Sequence, residues 1–279
     1  TKDGRILLFR PEVNAKRFAN SNRRLSMPVL DENDFVEIIE KLVSIERDWI
    51  PEGAGESLYI RPFMYASDVS LGVHPSFTYK FVVIVMPVGA YYPEGVNPVK
   101  IYVEDEYVRA NVGGTGFTKC GGNYAGSLAA QVKAEKLGYT QVLWLDGVHR
   151  KYVEEVGSMN VIFKIDGQIY TAPCDGTVLP GVTRESIIHI LKDMGYVVNE
   201  VHLSIDDLMK AGREGRLEEA FGTGTAAVIS PVGELYYKGE TVTINNFETG
   251  ELTQKLYDQL TGIQWGNLED RFSWTREVK

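Results

Sequence analysis

Lys119 stands alone between two glycine clusters in the stretch "NVGGTGFTKCGGNYAGSLAAQVKAEKLG" (Asn111–Gly138), just ahead of a helical pattern. Two phosphate-loop explanations fail on residue order. A Walker loop needs Ser or Thr after its lysine, and Cys120 follows here; a dinucleotide fingerprint needs a third glycine where Lys119 stands. Six glycines fall within Gly113–Gly126 and would let the backbone approach a flat object closely while leaving one amine to reach it. The particular chemistry of lysine is imine formation with a carbonyl, which requires a neutral amine and hence a partly desolvated site. The competing explanation is a flexible glycine loop with a solvated lysine, and spacing alone divides the two about equally.

A pyridoxal phosphate site needs three further groups: an anion for the ring nitrogen, a phosphate pocket, and a hydroxyl near the ring oxygen. Glu155, in "EEVGSMNVIF" (Glu154–Phe163), lies just before a strand expected to begin at Met159 and is the candidate anion. For the phosphate, "LPGVTRESI" (Leu179–Ile187) opens a helix at Gly181 to Thr183, where free amides and the dipole favour an anion. Thr223 and Thr225 flank Gly224 in "FGTGTAAVISP" (Phe221–Pro231), and Arg17 adds positive charge. Each alone has an ordinary explanation: glutamates are mostly surface residues, Thr183 can be an N-cap, and G-T-G-T can be a turn. Their joint occurrence favours the cofactor.

The elements that must carry these residues come from a chain of 279 residues, 44% hydrophobic and 24% charged, ample for two domains. A net charge of -9 argues against nucleic-acid or anionic-membrane partners, which would be repelled, and favours small-molecule substrates. The longest apolar run, "FVVIVMPV" (Phe81–Val88), is far short of a membrane helix and rich in β-branched residues, so it is a buried strand. Cys120 and Cys174 have neither CxxC spacing nor a dense framework. Nothing calls for a metal or an oxidising compartment, and a reduced cytoplasm fits.

Strands are expected at Arg5–Phe9, Ser57–Ala66, Thr78–Val88, Val99–Val103, Gln141–Asp146, Met159–Ile165, Gln168–Thr171 and Val197–Leu203. Helices are expected from about Pro11, from Asp31, and at Tyr124–Leu137, Thr183–Met194, Ile205–Arg213 and Leu252–Leu260. The class is mixed α and β (α+β). "VGAYYPEGVNP" (Val88–Pro98) has no usable period and reads as an interdomain loop. This gives a small N-terminal domain over 1–88, a loop over 89–98 and a large domain over 99–279. "KDG" (Lys2–Gly4) reads as a hairpin turn whose first strand is missing, so the chain is expected to lack its true N-terminus.

The motifs "LYIRP" (Leu58–Pro62), "PVGAYY" (Pro87–Tyr92), "KCGGNYAGSL" (Lys119–Leu128), "EEVGSMN" (Glu154–Asn160), "LPGVTR" (Leu179–Arg184) and "FGTGTAA" (Phe221–Ala227) fall in one order over nearly the whole chain. In this the chain resembles the branched-chain amino acid aminotransferases, in the D-alanine aminotransferase-like fold of pyridoxal phosphate enzymes. The resemblance implies Lys119 as the Schiff-base residue and proton shuttle, Tyr124 at the ring hydroxyl oxygen, and Glu155 at the ring nitrogen. It implies Arg17, Ser158, Val182, Thr183 and Thr225 around the cofactor and its phosphate. On the substrate side it implies Tyr59, Arg61, Tyr91, Thr225 and Ala226, with Arg61 taking the side-chain carboxylate of glutamate. The implied assembly is a homodimer with the site near its interface.

The implied reaction is reversible, ping-pong amino transfer between leucine, isoleucine or valine and 2-oxoglutarate. The sequence departs from mammalian members at Ala227 and Ser230, where those carry a redox CxxC, so thiol switching there is expected to be absent. Within the same fold the rivals are a D-amino acid aminotransferase and an aminodeoxychorismate lyase, against which the Tyr59-Ile60-Arg61-Pro62 strand argues. Outside catalysis the rival is a phosphate-ligand or cofactor-binding homologue without turnover.

Overall fold

The computed structural model describes residues 1–89 and 96–279. The chain divides into two compact units, Thr1–Pro93 with Gly262–Lys279, and Glu94–Thr261. The first unit supplies β1 (Ile6–Phe9), α1 (Pro11–Arg24), α2 (Glu32–Ile45), β2 (Ser57–Ala66) and β3 (Tyr79–Val88). There follow β4 (Val99–Glu104), α3 (Gly121–Ala125), α4 (Leu128–Lys136), β5 (Gln141–Leu145), β6 (Val153–Val156), β7 (Met159–Ile165) and β8 (Gln168–Thr171). The order continues with α5 (Val182–Asp193), β9 (Val198–Glu200), α6 (Ile205–Arg213), β10 (Leu217–Gly224), β11 (Val228–Tyr237), β12 (Glu240–Thr243) and α7 (Glu251–Gln264). β13 (Thr275–Val278) returns to the first unit.

In the smaller unit β1 pairs antiparallel with β13, Ile6 opposite Val278 and Phe9 opposite Thr275. This groups Gly262–Lys279 with the first residues, whereas the sequence had put 99–279 together; a pairing between strands this distant leaves no local signature. Asp31 caps α2 by accepting from the Asn33 and Asp34 amides, and Phe35, Val36, Ile39 and Val43 on one face of that helix are buried. Leu58 and Ile60 of β2 pack on this core with Phe81 and Val83 of β3. Side chains alternate along a strand, so Tyr59 and Arg61 share the opposite face.

The larger unit is organised by a sheet that closes on itself. β10, β11, β4, β5, β6 and β7 pair in that order, and β7 pairs back to β10. Ile101, Val103, Leu143, Leu145, Val156, Val161, Phe163 and Val232 are among the buried residues of its core, with Leu208 and Met209 of α6. The β10–β11 pair was not read from the sequence, because Gly222, Gly224, Pro231 and Gly233 break its apolar runs. Gly233 is required by packing, since a Cβ there would meet the Phe247 ring at 2.6 Å. The expected strand Val197–Leu203 shortens to β9, and the expected helix Tyr124–Leu137 divides into α3 and α4 around Gly126 and Ser127. Among the described residues no helix is long and apolar enough to cross a membrane.

Asp146 organises the loop from β5 to β6. Its two oxygens accept backbone N–H bonds from Val148, His149, Lys151 and Tyr152. Burial pushes its carboxyl up, but these four donors outweigh it and hold it at about 2, below the ordinary 3.8. A depressed folded-state value contributes stability that is present above 3.8 and lost as pH falls toward 2. Asp146→Ala is expected to lower unfolding free energy by on the order of 2 kcal/mol at neutral pH. Urea melts should show the gap to wild type closing as pH drops through 3.8 toward 2, and a pH-independent gap would refute this account.

Candidate active site

Glu155 sits on β6 directly opposite Asn160 of β7, and Asn160 sits directly opposite Thr223 of β10. Residues paired across a sheet project to the same side, so Glu155, Asn160 and Thr223 form one polar row. Val156 and Val161, their neighbours in sequence, enter the apolar core. The sequence expected Glu155 before the strand, whereas it lies within one. Two adjacent glutamates hid β6.

Glu155 is 3% exposed. Its Oε1 accepts from the Leu179 amide at 2.9 Å and from Asn160 Nδ2 at 3.2 Å. Its Oε2 lies 2.6 Å from Arg109 Nε, an ion pair by distance without the alignment of a hydrogen bond. Burial raises the Glu155 carboxyl to about 7, with Arg109 and the Leu179 amide opposing and Glu154 adding to the rise. Arg109 Nη2 also donates to the carbonyls of Gly116 at 3.0 Å and Thr177 at 3.2 Å. These two carbonyl segments are pressed together, for a Cβ on Gly116 would lie 2.2 Å from Thr177 O. One of the six loop glycines thus serves backbone packing.

Lys119 lies just before α3, exposed, and its Nζ donates to the Tyr124 hydroxyl at 3.0 Å. Asn123 fixes the loop that presents it. Asn123 Nδ2 donates to the carbonyls of Thr115 and Thr118, and its Oδ1 accepts from Thr115 Oγ1. Gly121 and Gly122 leave open space where a Cβ would stand. A recess is lined by Tyr124 and Glu155 together with Thr118, Ser127, Gly157 and Ser158. Ser158 is exposed at the turn from β6 to β7, and Gly157 there has φ +56° and no room for a Cβ, which would meet Gln141 Oε1.

The phosphate candidates gather at the ends of the same strands. Val182 and Thr183 form the first turn of α5, and Gly181 before them is pressed on Asn160 Oδ1. Asn160 Nδ2 donates to Leu179 O at 2.9 Å, tying the start of this segment to the Glu155 row. Thr225 and Ala226 are exposed in the turn from β10 to β11, next to the end of the row at Thr223. Thr223 Oγ1 is buried with no hydrogen-bond partner among the described residues. Val228 closes that turn at φ 56°, a conformation costly for a β-branched residue.

In the smaller unit Arg17, on α1, donates to Asn14 Oδ1 at 3.1 Å. Arg61 Nη2 donates to the Tyr59 hydroxyl at 3.1 Å, and its guanidinium stands 5.1 Å from the centre of the Tyr59 ring. Tyr91 lies outside the described residues. The larger unit therefore brings together Lys119 with Tyr124, and Tyr124 with Glu155 and Ser158. Arg109, Asn123 and Thr177 had escaped sequence analysis. Asn123 lay inside a quoted motif, but Arg109 and Thr177 carried no local signal.

Three observations fit pyridoxal phosphate: Tyr124 and Glu155 line one recess, Thr223 Oγ1 is a buried orphan among the described residues, and open glycines follow Lys119. Residues 1–235 match the family pattern of amino-transferase class IV. The chain is 58% identical over 274 residues to a probable branched-chain-amino-acid aminotransferase of Staphylococcus aureus (strain N315), spanning 98% of this chain and 76% of that one. It is 56% identical over 278 residues to branched-chain-amino-acid aminotransferase 2 of Bacillus subtilis (strain 168), spanning 100% and 77%. Among solved structures it resembles the T.th. branched-chain amino acid aminotransferase crystallised with pyridoxamine 5'-phosphate. That match has a TM-score of 0.83 at 29% identity, covering 98% of this chain and 85% of that one.

Proposed function

The chain belongs to the amino-transferase class IV family, and we propose that it acts as a pyridoxal phosphate-dependent branched-chain amino acid aminotransferase through Lys119, Tyr124 and Glu155. The observation that carries these roles is the 3.0 Å bond from Lys119 Nζ to a tyrosine hydroxyl that shares a recess with a buried carboxylate. Pyridoxal phosphate, when bound, supplies the electron sink for the substrate Cα and stores the amino group between half-reactions. Lys119 would hold the cofactor through Nζ and, as a free amine, would take the substrate Cα proton on the same atom. Tyr124 accepts a hydrogen bond from that amine and so fixes where it points. Glu155 keeps an anion facing the ring nitrogen. Ser158, the amides of Val182 and Thr183 and the Thr225 side chain hold the phosphate end. Thr225 and Ala226 receive the substrate α-carboxylate.

Leucine, isoleucine and valine alternate with glutamate in a ping-pong cycle, and Arg61 is the residue that allows both. Against Tyr59 it leaves an aromatic wall for an aliphatic chain; turned outward it meets the glutamate side-chain carboxylate. The enzyme works in the cytoplasm as a homodimer. Supporting a dimer, Val69, Leu71, Val73 and Phe77 are almost wholly exposed between β2 and β3. Four large apolar side chains on one short connection call for a covering surface, and a second copy supplies it.

Leucine should bleach the visible absorption band of the loaded protein, and 2-oxoglutarate should restore it. Lys119→Ala is expected to lose activity by about 10³-fold or more, and near wild-type turnover would remove Lys119 from the mechanism. For Arg61→Ala, kcat/KM for glutamate is expected to fall about 10- to 100-fold and that for leucine by less than about threefold. Equal losses would sink the dual-substrate account. Light scattering should give twice the chain mass of 31.2 kDa for wild type and a lower value for Leu71→Asp; a monomeric wild type excludes the dimer.

A further inference from the structure

Glu154 has no role in the chemistry above, yet it is buried beside Glu155 and is 7% exposed. Its Oε1 accepts from Thr177 Oγ1 at 2.5 Å, and its Oε2 is buried without a hydrogen-bond partner among the described residues. Successive residues of a strand leave on opposite faces, but Thr177 brings both carboxylates to the same cation. The Thr177 carbonyl accepts from Arg109 Nη2 at 3.2 Å, its hydroxyl holds Glu154, and Arg109 Nε stands 2.6 Å from Glu155. Glu155 thus meets the guanidinium directly, while Glu154 is linked to it through Thr177 and has its charged form favoured by Arg109.

Among the described residues the surrounding charges add no second cation to Glu154. Asp146 and Asp175 both disfavour its charged form, as burial does above all, while Thr177 and Arg109 favour it. Around Glu155 stand Arg109 and Glu154, and Tyr124 lines the same recess. Glu155 also acts on the thiol of the exposed Cys174, together with Arg184, Glu200 and Asp175. Arg184 is itself engaged by Glu200 and the Ala172 carbonyl. With both carboxylates ionised, the Glu154–Arg109–Glu155 set carries one unbalanced negative charge out of water, which is costly.

We infer that Glu154 and Glu155 jointly hold one proton in the cofactor-free chain and release it to solvent when a protonated pyridine nitrogen docks on Glu155. The inference rests on Glu155 as the ring partner. The balance is simple: a carboxyl O–H bond breaks, its proton goes to buffer, and the pyridinium keeps its own. The buried set is neutral before, with one carboxylate and one guanidinium, and neutral after, with two of each charge. The proton belongs to the pair rather than to either residue. Glu154 is then a positioning residue, which makes the site electrically complete only with the cation in place.

The test is calorimetry of pyridoxamine 5′-phosphate binding to the cofactor-free full-length chain, in buffers of low and high ionisation enthalpy, from pH 5 to 7. This ligand has no carbonyl, so no bond to Lys119 contributes, and its own phosphate titration is common to all variants. Wild type is expected to release up to about one proton more than Glu154→Gln at the acidic end, where its affinity rises up to about tenfold more steeply per pH unit. Thr177→Val keeps the carboxyl but deletes its donor, so the extra release should persist and move to higher pH. Equal proton counts in wild type and Glu154→Gln, or loss of the extra release in Thr177→Val, would overturn the shared proton while leaving cofactor binding intact. No binding to wild type would overturn the cofactor role of the site as well.

Discussion

A carboxylate taken out of water must be answered by cations or donors, and in this chain that demand falls on Glu155. The answer is assembled from three stretches: Arg109 ahead of the glycine loop, Asn160 on the neighbouring strand, and the Leu179 amide. Because Arg109 also grips the carbonyls of Gly116 and Thr177, the ion pair fixes the loop that leads to Lys119 and the segment that leads to α5. Asn160 adds a bond to Leu179 O and contact with Gly181, so the first turn of α5 is set by the same row. The positions of amine, anion and phosphate end follow from one buried charge.

Regular elements were legible where one period dominated. β2 and α6 have the bounds their patterns indicated, and α5 differs by one residue at each end. β6 was not legible because "VEEV" places two charges in four residues, and their partners lie far along the chain. The same limit separates the legible half of the site from the rest. Lys119 and Tyr124 are five residues apart, so a local motif contains their contact. Arg109 and Thr177 are 68 residues apart and meet beyond the ends of β4 and β8 of one sheet, which no spacing records. Much of the residue assignment came from resemblance to a family, and residue chemistry alone had left the lysine loop undecided.

Burial separates the two halves of the chemistry. Lys119 is exposed, against the partly desolvated amine that the sequence suggests, and Glu155 is enclosed. An amine that is displaced and then carries a proton has to move, and one hydrogen bond to the Tyr124 hydroxyl orients it at a cost of only about 1 kcal/mol to break. An anion that sets the charge of a ring must not move or exchange its counterion for water. Arg109, Asn160 and the Leu179 amide hold it, and the low local dielectric strengthens each interaction. Exchanging the two environments would leave a buried amine unable to reach substrate and a solvated carboxylate with little hold on its partner.

In the smaller unit the contact between Arg61 and Tyr59 is of a different kind from the buried ion pair of Glu155. The structure sets the guanidinium against a neutral hydroxyl and a ring face, at 3.1 Å and 5.1 Å. Such contacts are worth about 1 kcal/mol each in water-exposed positions. A charge-assisted, two-pronged bond to a carboxylate is roughly twice as strong. Lysine would not serve equally, because it lacks both the planar stacking surface and the fork. The bond from Arg61 to Tyr59, two residues along the strand, is of the weaker of these two kinds.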